Sequence, residues 1–166
     1  MKTIRQHLFE TNSSSIHAIT IGNNGEDFKS NLPEKIVFGG GEFGWEHEIY
    51  DDVQDKANYL RVSLSYVDNP EELQSKITKI LEKWGVESEW IQQGGEYNMY
   101  IGGVYSYVDH GYENRDLVET LANNEELLMN YLFSKASTIE TGNDNEDIQF
   151  RAPTPNNVLL EYEKGN

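Results

Sequence analysis

Alternating apolar and polar positions predict strands in the first quarter of the chain. Residues 15–21 place His17, Ile19 and Ile21 on one face of an extended segment, which is typical of a half-buried strand. Residues 35–38, a Lys-Ile-Val-Phe run before three glycines, predict a second strand. The chain therefore begins with β-structure.

The pattern then changes to helical spacing. Apolar positions recur at steps of three and four behind two aspartates and predict a helix over residues 53–67. The next helix has the clearest boundaries, with Asn69 as N-cap, Pro70 at its first position and Gly85 as its stop. Two consecutive helices are expected.

After Gly85 the spacing returns to short runs rich in Trp, Tyr, Val and Ile. Residues 87–92, 96–101 and 104–108 are separated by pairs of glycines and predict an antiparallel meander. Helical spacing follows over residues 115–132, with a break at 123–124 left open.

Two weaker strand patterns, at residues 137–140 and 158–162, complete the chain. No internal repeat or long linker separates these elements. The expectation is a single α+β domain over residues 1–166, with a mainly antiparallel sheet and two or three helices. Residues 150–166 carry two prolines and are considered as a peripheral tail.

Length and composition agree with this reading. A chain of 166 residues corresponds to about one domain and can bury a core without covalent staples. It contains no cysteine, which excludes disulfides, thiol catalysis and cysteine-ligated metals. The sequence shows neither a long apolar stretch nor a signal-like start, so the cytoplasm is the expected location.

Charge narrows the classes of partner. Asp and Glu number 29 against 13 Lys and Arg, a formal net charge of −16. Such a chain is repelled by phosphate backbones and by anionic lipid, so neither direct nucleic-acid binding nor membrane binding is expected. A protein with a basic surface is the partner that this charge attracts.

The acids are dense between residues 42 and 55, where six carboxylates occur without Lys or Arg. Aromatic side chains interrupt them, and a basic groove would recognise this combination. The candidate binding residues here are Glu42, Phe43, Trp45, Glu46, Glu48, Asp51, Asp52 and Asp55. In the alternative interpretation the aspartates only favour the following helix start and Trp45 fills the core.

A second constellation carries candidate catalytic groups. Ser13, Ser14 and Ser15 precede His17, which is near enough in sequence to act as a base for a serine. Asp109 and His110 end a predicted strand, where catalytic groups often lie. The alternatives are a serine turn bonded to its own backbone, with His17 in the core, and a solvated turn at residues 109–110.

The sequence gives only weak support for a metal site. His17, Glu46, Asp109, His110 and Asp144 offer oxygen and nitrogen ligands, but adjacent strand residues such as 109 and 110 point apart. The loop at residues 141–145 lacks the alternating acids and the closing Glu of a calcium loop. No metal or cofactor is predicted, and Asn143 and Asp144 are retained as candidate binding residues.

Five segments together carry a family resemblance, at residues 9–17, 41–46, 56–60, 107–110 and 141–145. They are similar to a group of small, functionally uncharacterised proteins of bacteriophages and bacterial genomes that open with Phe-Glu-Thr-Asn-Ser-Ser-Ser-x-His. The likeness covers about residues 7 to 145. It implies a phage or prophage setting. It also implies that the polar residues of these motifs meet at one site: Ser13, Ser14, Ser15, His17, Glu42, Glu46, Asp109, His110, Asn143 and Asp144.

Two functions of different classes follow. The first is an acidic phage-type effector that mimics nucleic acid and inhibits a host protein with a basic surface, for example a defence nuclease of a CRISPR system. The second is a small hydrolase, transferase or ligand-sequestering protein with a Ser/His/Asp pocket. The first is preferred because the excess of negative charge is observed, whereas the pocket is inferred.

Overall fold

The computed structural model describes residues 2–5, 15–25, 27–143 and 150–165. Within these ranges the strands, in chain order, are β1 (Lys2–Arg5), β2 (Ser15–Asn23), β3 (Lys35–Phe38), β4 (Glu42–Phe43), β5 (Glu48–Tyr50), β6 (Glu87–Trp90), β7 (Gln93–Gly94), β8 (Tyr100–Ile101), β9 (Val104–Tyr105), β10 (Tyr107–Val108), β11 (Thr138–Asn143) and β12 (Asn157–Gly165). The α-helices in the same ranges are α1 (Val53–Ser63), α2 (Pro70–Lys83), α3 (Arg115–Ala122) and α4 (Glu125–Phe133).

The helix boundaries follow from their capping residues. Asp52 caps α1 by accepting a hydrogen bond from the backbone N–H of Gln54 at 2.7 Å, and Pro70 opens α2 as predicted. Asn124 accepts from the backbone N–H of Leu127 at 3.0 Å and starts α4 separately from α3. Because of this cap, the described chain has four α-helices where the sequence predicts two or three.

A five-stranded sheet organises the molecule, with the strand order β1-β12-β2-β11-β5. β2 lies antiparallel to both β12 and β11, and β5 lies antiparallel to β11, whereas β1 pairs with β12 in parallel. The expectation of a peripheral tail at residues 150–166 is wrong for residues 157–165. This segment is an internal strand between β1 and β2, and its Leu160 and Tyr162 are buried against the core.

Smaller strand pairs surround this sheet. β3 pairs with β6 and β4 with β10, both in parallel, while β7, β8 and β9 form an antiparallel three-stranded sheet. The predicted meander is therefore correct for residues 100–101 and 104–105, and wrong for residues 107–108, which pair with β4, and for residues 87–90. That segment leaves the meander because Phe38 and Trp90 stack with ring centroids 4.0 Å apart.

The core lies between the helices and one face of the large sheet. Ile19 and Ile21 point into it, as the alternation predicts, beside Ile139 of β11. A buried cation, Lys56 of α1, donates to the carbonyl oxygens of Ser134 and Ser137 at 2.9 and 3.1 Å, near the C-terminus of α4. The result is a single α+β domain with a mainly antiparallel sheet. Among the residues described, none of the helices has the length and apolar character to cross a membrane.

Candidate functional site

The acid-rich segment lies at the exposed edge of the five-stranded sheet. We define the acidic face as eight exposed or half-exposed side chains of this segment: Glu42, Trp45, Glu46, Glu48, Ile49, Asp51, Asp52 and Asp55. Trp45 is 54% exposed, so the interpretation in which it fills the core is wrong. Phe43, a predicted binding residue, takes that place instead and packs edge-on against Tyr50 and Tyr59.

Buried side chains of the sheet anchor this segment. The Nε2 atom of His17 donates to the carbonyl oxygen of Gly44 at 2.8 Å, and the hydroxyl of Thr141 donates to the carbonyl oxygen of Glu46 at 2.6 Å. Nε2 of His47 donates to the buried carboxylate of Glu140 at 2.9 Å. Three contacts in four residues hold the segment in one conformation, which reduces the entropy lost on binding.

The carboxylates of the acidic face lie close enough to act on one another. Burial raises the pKa of Asp55, and repulsion from Asp52, Asp51 and Glu48 raises it further. The pKa of Tyr50 rises to about 12, first by burial and then through carboxylates that include Glu48 and Asp55. Lys135 lines a groove of about 200 Å³ together with Ile49 and Asp51, so one cation borders this surface.

A second polar cluster lies beneath the acidic face, where β2 meets β12. His17 is fully buried and both its ring nitrogens are engaged, because Nδ1 accepts from the hydroxyl of Tyr59 at 3.0 Å while Nε2 donates to Gly44. Burial, and next to it the charge of Lys164, lower the pKa of His17 to about 3. His17 is therefore neutral at physiological pH, with the proton on Nε2.

Lys164 stands directly opposite His17 in the sheet register. Its ammonium donates to the carbonyl oxygen of Asp109 at 2.6 Å, and its side chain is only 1% exposed. Burial lowers the pKa of Lys164 to about 7, although the negative charges of Glu113 and Asp109 act in the opposite direction. Lys164 thus combines a cationic group with an almost complete loss of hydration.

Glu113 connects this cluster to the surface. One carboxylate oxygen accepts from the backbone N–H of Gly165 at 3.0 Å, and the other lies 3.5 Å from Nδ1 of His110. The hydroxyl of Tyr162 donates to the backbone carbonyl of Glu113. The cluster therefore extends from the buried His17 and Lys164 to the partly exposed His110.

The structure brings some of the predicted catalytic residues together. His17 and Asp109 adjoin Lys164, and His110 lies near enough to act on the pKa of His17, but Asp109 accepts from Lys164 through its backbone carbonyl rather than its carboxylate. Ser15 is buried on the same face of β2 as His17, and its hydroxyl has no hydrogen-bond partner in the described part of the chain. Because both nitrogens of His17 are occupied, His17 could act as a base only after losing one of its hydrogen bonds.

The remaining predicted catalytic and loop residues lie at the end of β11 or outside the described residues. Ser13, Ser14 and Asp144 lie outside the described residues, and Asn143 ends β11 opposite Ser15. In the described ranges, no three His, Asp or Glu side chains form a group that could hold a metal ion.

Sequence reasoning missed Lys164, Glu113 and Glu140, which are all buried. A signal for Lys164 was present, because the alternation of Leu160 and Tyr162 continues to residue 164 and places it on the buried face. Glu113 and Glu140 carried no comparable signal, since their burial depends on chain segments that are distant in sequence. No protein-family model, curated protein or solved structure matches this chain.

Proposed function

We propose that this protein binds a basic surface of another protein through its acidic face. The observation that carries the proposal is the exposure of Trp45 and Ile49 within a backbone-anchored segment that contains six carboxylates and no Lys or Arg. Exposed aromatic and apolar groups supply contact area, and the surrounding carboxylates supply charge complementarity and rapid encounter. An anchored segment also loses little entropy on binding.

The partner that fits this chemistry is a protein that binds nucleic acid. Its groove presents Lys and Arg at the spacing of phosphates, together with surfaces on which bases stack. Carboxylates and Trp45 would take the places of phosphates and bases. The resemblance to phage and prophage proteins makes a host protein in the bacterial cytoplasm, such as a CRISPR defence nuclease, the proposed target.

A charge-matched pair of variants tests the assignment of the surface. In the first variant Glu46, Glu48, Asp51, Asp52 and Asp55 become Gln or Asn, which preserves the cap at residue 52. In the control variant five exposed acids on other elements are neutralised in the same way: Glu71, Glu82, Glu87, Glu119 and Glu126. Both variants carry the same net charge, so any difference between them reports on the position of the charges.

The measurement is binding to a fluorescent oligoarginine peptide and to basic proteins captured from bacterial lysate. We expect the first variant to lose about a hundredfold in affinity at low salt, and the control variant less than about threefold. Duplex DNA should displace the chain from a captured protein, because both ligands occupy the same groove. Equal losses in the two variants, or binding unaffected by salt and by DNA, would contradict the proposal.

A second candidate function rests on the amine of Lys164. With a pKa of about 7, a substantial fraction of this amine is unprotonated at neutral pH, next to His17 and near His110. Such a cluster favours a small hydrolase, transferase or ligand-sequestering protein. This second function has less support than binding through the acidic face, because Lys164 and His17 are buried. In this case His110→Ala abolishes the activity at almost unchanged charge, whereas the acidic-face variant retains it.

A further inference from the structure

A cleft of about 310 Å³ opens between tyrosine side chains next to the acidic face. Four tyrosines line it, and they are Tyr66, Tyr105, Tyr107 and Tyr112. Asp109 and His110 also border the cleft. It is therefore an aromatic cleft with an acid at its margin.

The aromatic rings belong to two pairs. The rings of Tyr66 and Tyr112 meet edge to face with centroids 5.2 Å apart, and the centroids of Tyr105 and Tyr107 are 5.7 Å apart. Tyr112 is 72% exposed and Tyr105 is 41% exposed. Large aromatic surfaces thus remain accessible to a ligand.

The backbone holds Tyr66 in its place. The hydroxyl of Tyr66 accepts a hydrogen bond from the N–H of Val108 at 3.3 Å. A Cβ atom at Gly111 would lie 2.3 Å from the ring of Tyr66, so only glycine lets this ring approach the turn. His110 precedes it in the left-handed conformation with φ 54°, which bends the chain around the cleft.

Two carboxylates lie near the cleft. The pKa of Tyr107 is raised first by burial and then by the carboxylates of Glu42 and Asp109, which places both carboxylates near this ring. The carboxylate of Asp109 has no ion-pair partner within 4 Å in the described ranges. Two basic side chains also face this region: His110 lies beside Glu113, and the ammonium of Lys164 points to the carbonyl of Asp109.

The cleft is continuous with the acidic face. β10, which carries Tyr107, pairs with β4, which carries Glu42. A Cβ atom at Gly44 would lie 3.1 Å from the hydroxyl of Tyr107, so the anchored segment directly adjoins the tyrosines. A basic partner on the acidic face would therefore also cover the cleft.

We propose that the tyrosine cleft receives an arginine side chain of the basic partner, and this inference rests on the proposed function. A guanidinium is planar and weakly hydrated, and it stacks on aromatic faces while it pairs with a carboxylate. Tyr105 and Tyr112 supply the exposed aromatic surface and Asp109 supplies the carboxylate. A lysine ammonium is more strongly hydrated and lacks the planar surface for stacking.

The direct test uses N-acetyl-arginine amide and its citrulline analogue, a neutral molecule of nearly the same shape. In an NMR titration the arginine derivative should shift the ring resonances of Tyr66, Tyr105, Tyr107 and Tyr112, and the citrulline derivative should not. Equal shifts with both compounds would overturn the proposal. Tighter binding of tetramethylammonium than of the arginine derivative, by about tenfold or more, would assign the cleft to a free small cation and overturn the arginine assignment.

Three substitutions complete the test. Tyr112 is mostly exposed, so Tyr112→Leu leaves the fold intact, and it should weaken binding of the arginine derivative about threefold to fivefold. Tyr112→Phe retains the aromatic face and should bind like the parent chain. Asp109→Asn removes the carboxylate and should weaken binding by a similar factor. It keeps the backbone carbonyl that accepts from Lys164, so the buried cluster is unchanged.

The same variants separate this inference from the proposed function. If Tyr112→Leu and Asp109→Asn bind oligoarginine as the parent does while the acidic-face variant loses binding, the cleft assignment fails and the binding function stands. If the acidic-face variant retains oligoarginine binding, the binding function fails whatever the cleft binds. If both sets of variants lose binding while the control variant retains it, the two assignments are supported together.

Discussion

Burial disfavours the charged form of Lys164, and this lowers the stability of the folded state over a defined pH range. The folded pKa of about 7 lies below the ordinary value of 10.5, so between these values the unfolded chain binds more protons than the folded chain. The penalty for burying the amine is therefore complete below about pH 7, and it disappears as the pH rises to about 10.5. The folded state gains roughly 5 kcal/mol from this group over that range.

Comparison with Lys164→Met isolates this contribution. From pH 6 to pH 10 the stability of the parent chain relative to this variant should rise by several kcal/mol, measured by urea unfolding at each pH. Lys79→Met, at an exposed position of α2, serves as the control and should leave the pH dependence unchanged. A constant difference between the parent and Lys164→Met would show that Lys164 titrates normally.

At the scale of the element, the anchoring of the acidic segment depends on side chains of the neighbouring strands. Thr141 of β11 is buried and donates to the carbonyl oxygen of Glu46, so Thr141→Val removes one anchor without changing the shape of the side chain. We expect a loss of about 1 kcal/mol of stability and faster amide exchange in residues 44–49, with little change in α1.

Thr138→Val is the matched control, because Thr138 is a buried threonine of the same strand whose hydroxyl makes no hydrogen bond within the described ranges. Amide hydrogen exchange, measured by mass spectrometry, should be faster in residues 44–49 of Thr141→Val than in the same residues of Thr138→Val. The same exchange rates in residues 44–49 for both variants would mean that Thr141 does not hold the segment. The affinity for oligoarginine should also fall for Thr141→Val, since a looser segment loses more entropy on binding.

At the scale of the whole molecule, the net charge of −16 opposes the compact state through self-repulsion. Added salt screens this repulsion, so the free energy of unfolding should rise by about 1 kcal/mol between about 10 mM and about 300 mM NaCl. Urea unfolding is the suitable measurement because urea carries no charge. The acidic-face variant should show a smaller increase, and a decrease of stability with salt in the parent chain would contradict this account.

Local sequence was sufficient for the elements whose signals are local. Pro70 and the apolar stripe of α2 determine that helix, and the alternation of His17, Ile19 and Ile21 determines which face of β2 is buried. The exposure of Trp45 and the burial of Phe43 carried no local signal, because both are aromatic side chains in the same glycine-rich segment. Their positions depend on Tyr50 and Tyr59 packing around Phe43.

The sequence by itself determined the α+β class, the two central helices, the excess of acid and the absence of Lys and Arg from residues 42–55, because composition and short-range periodicity carry this information. Tertiary structure alone decided that residues 157–165 form an internal strand and that Lys164 meets His17, Asp109 and Glu113. It also decided that four tyrosines from separate elements line one cleft. The physical reason is that strand order and convergence depend on contacts between distant segments, which local propensity does not encode.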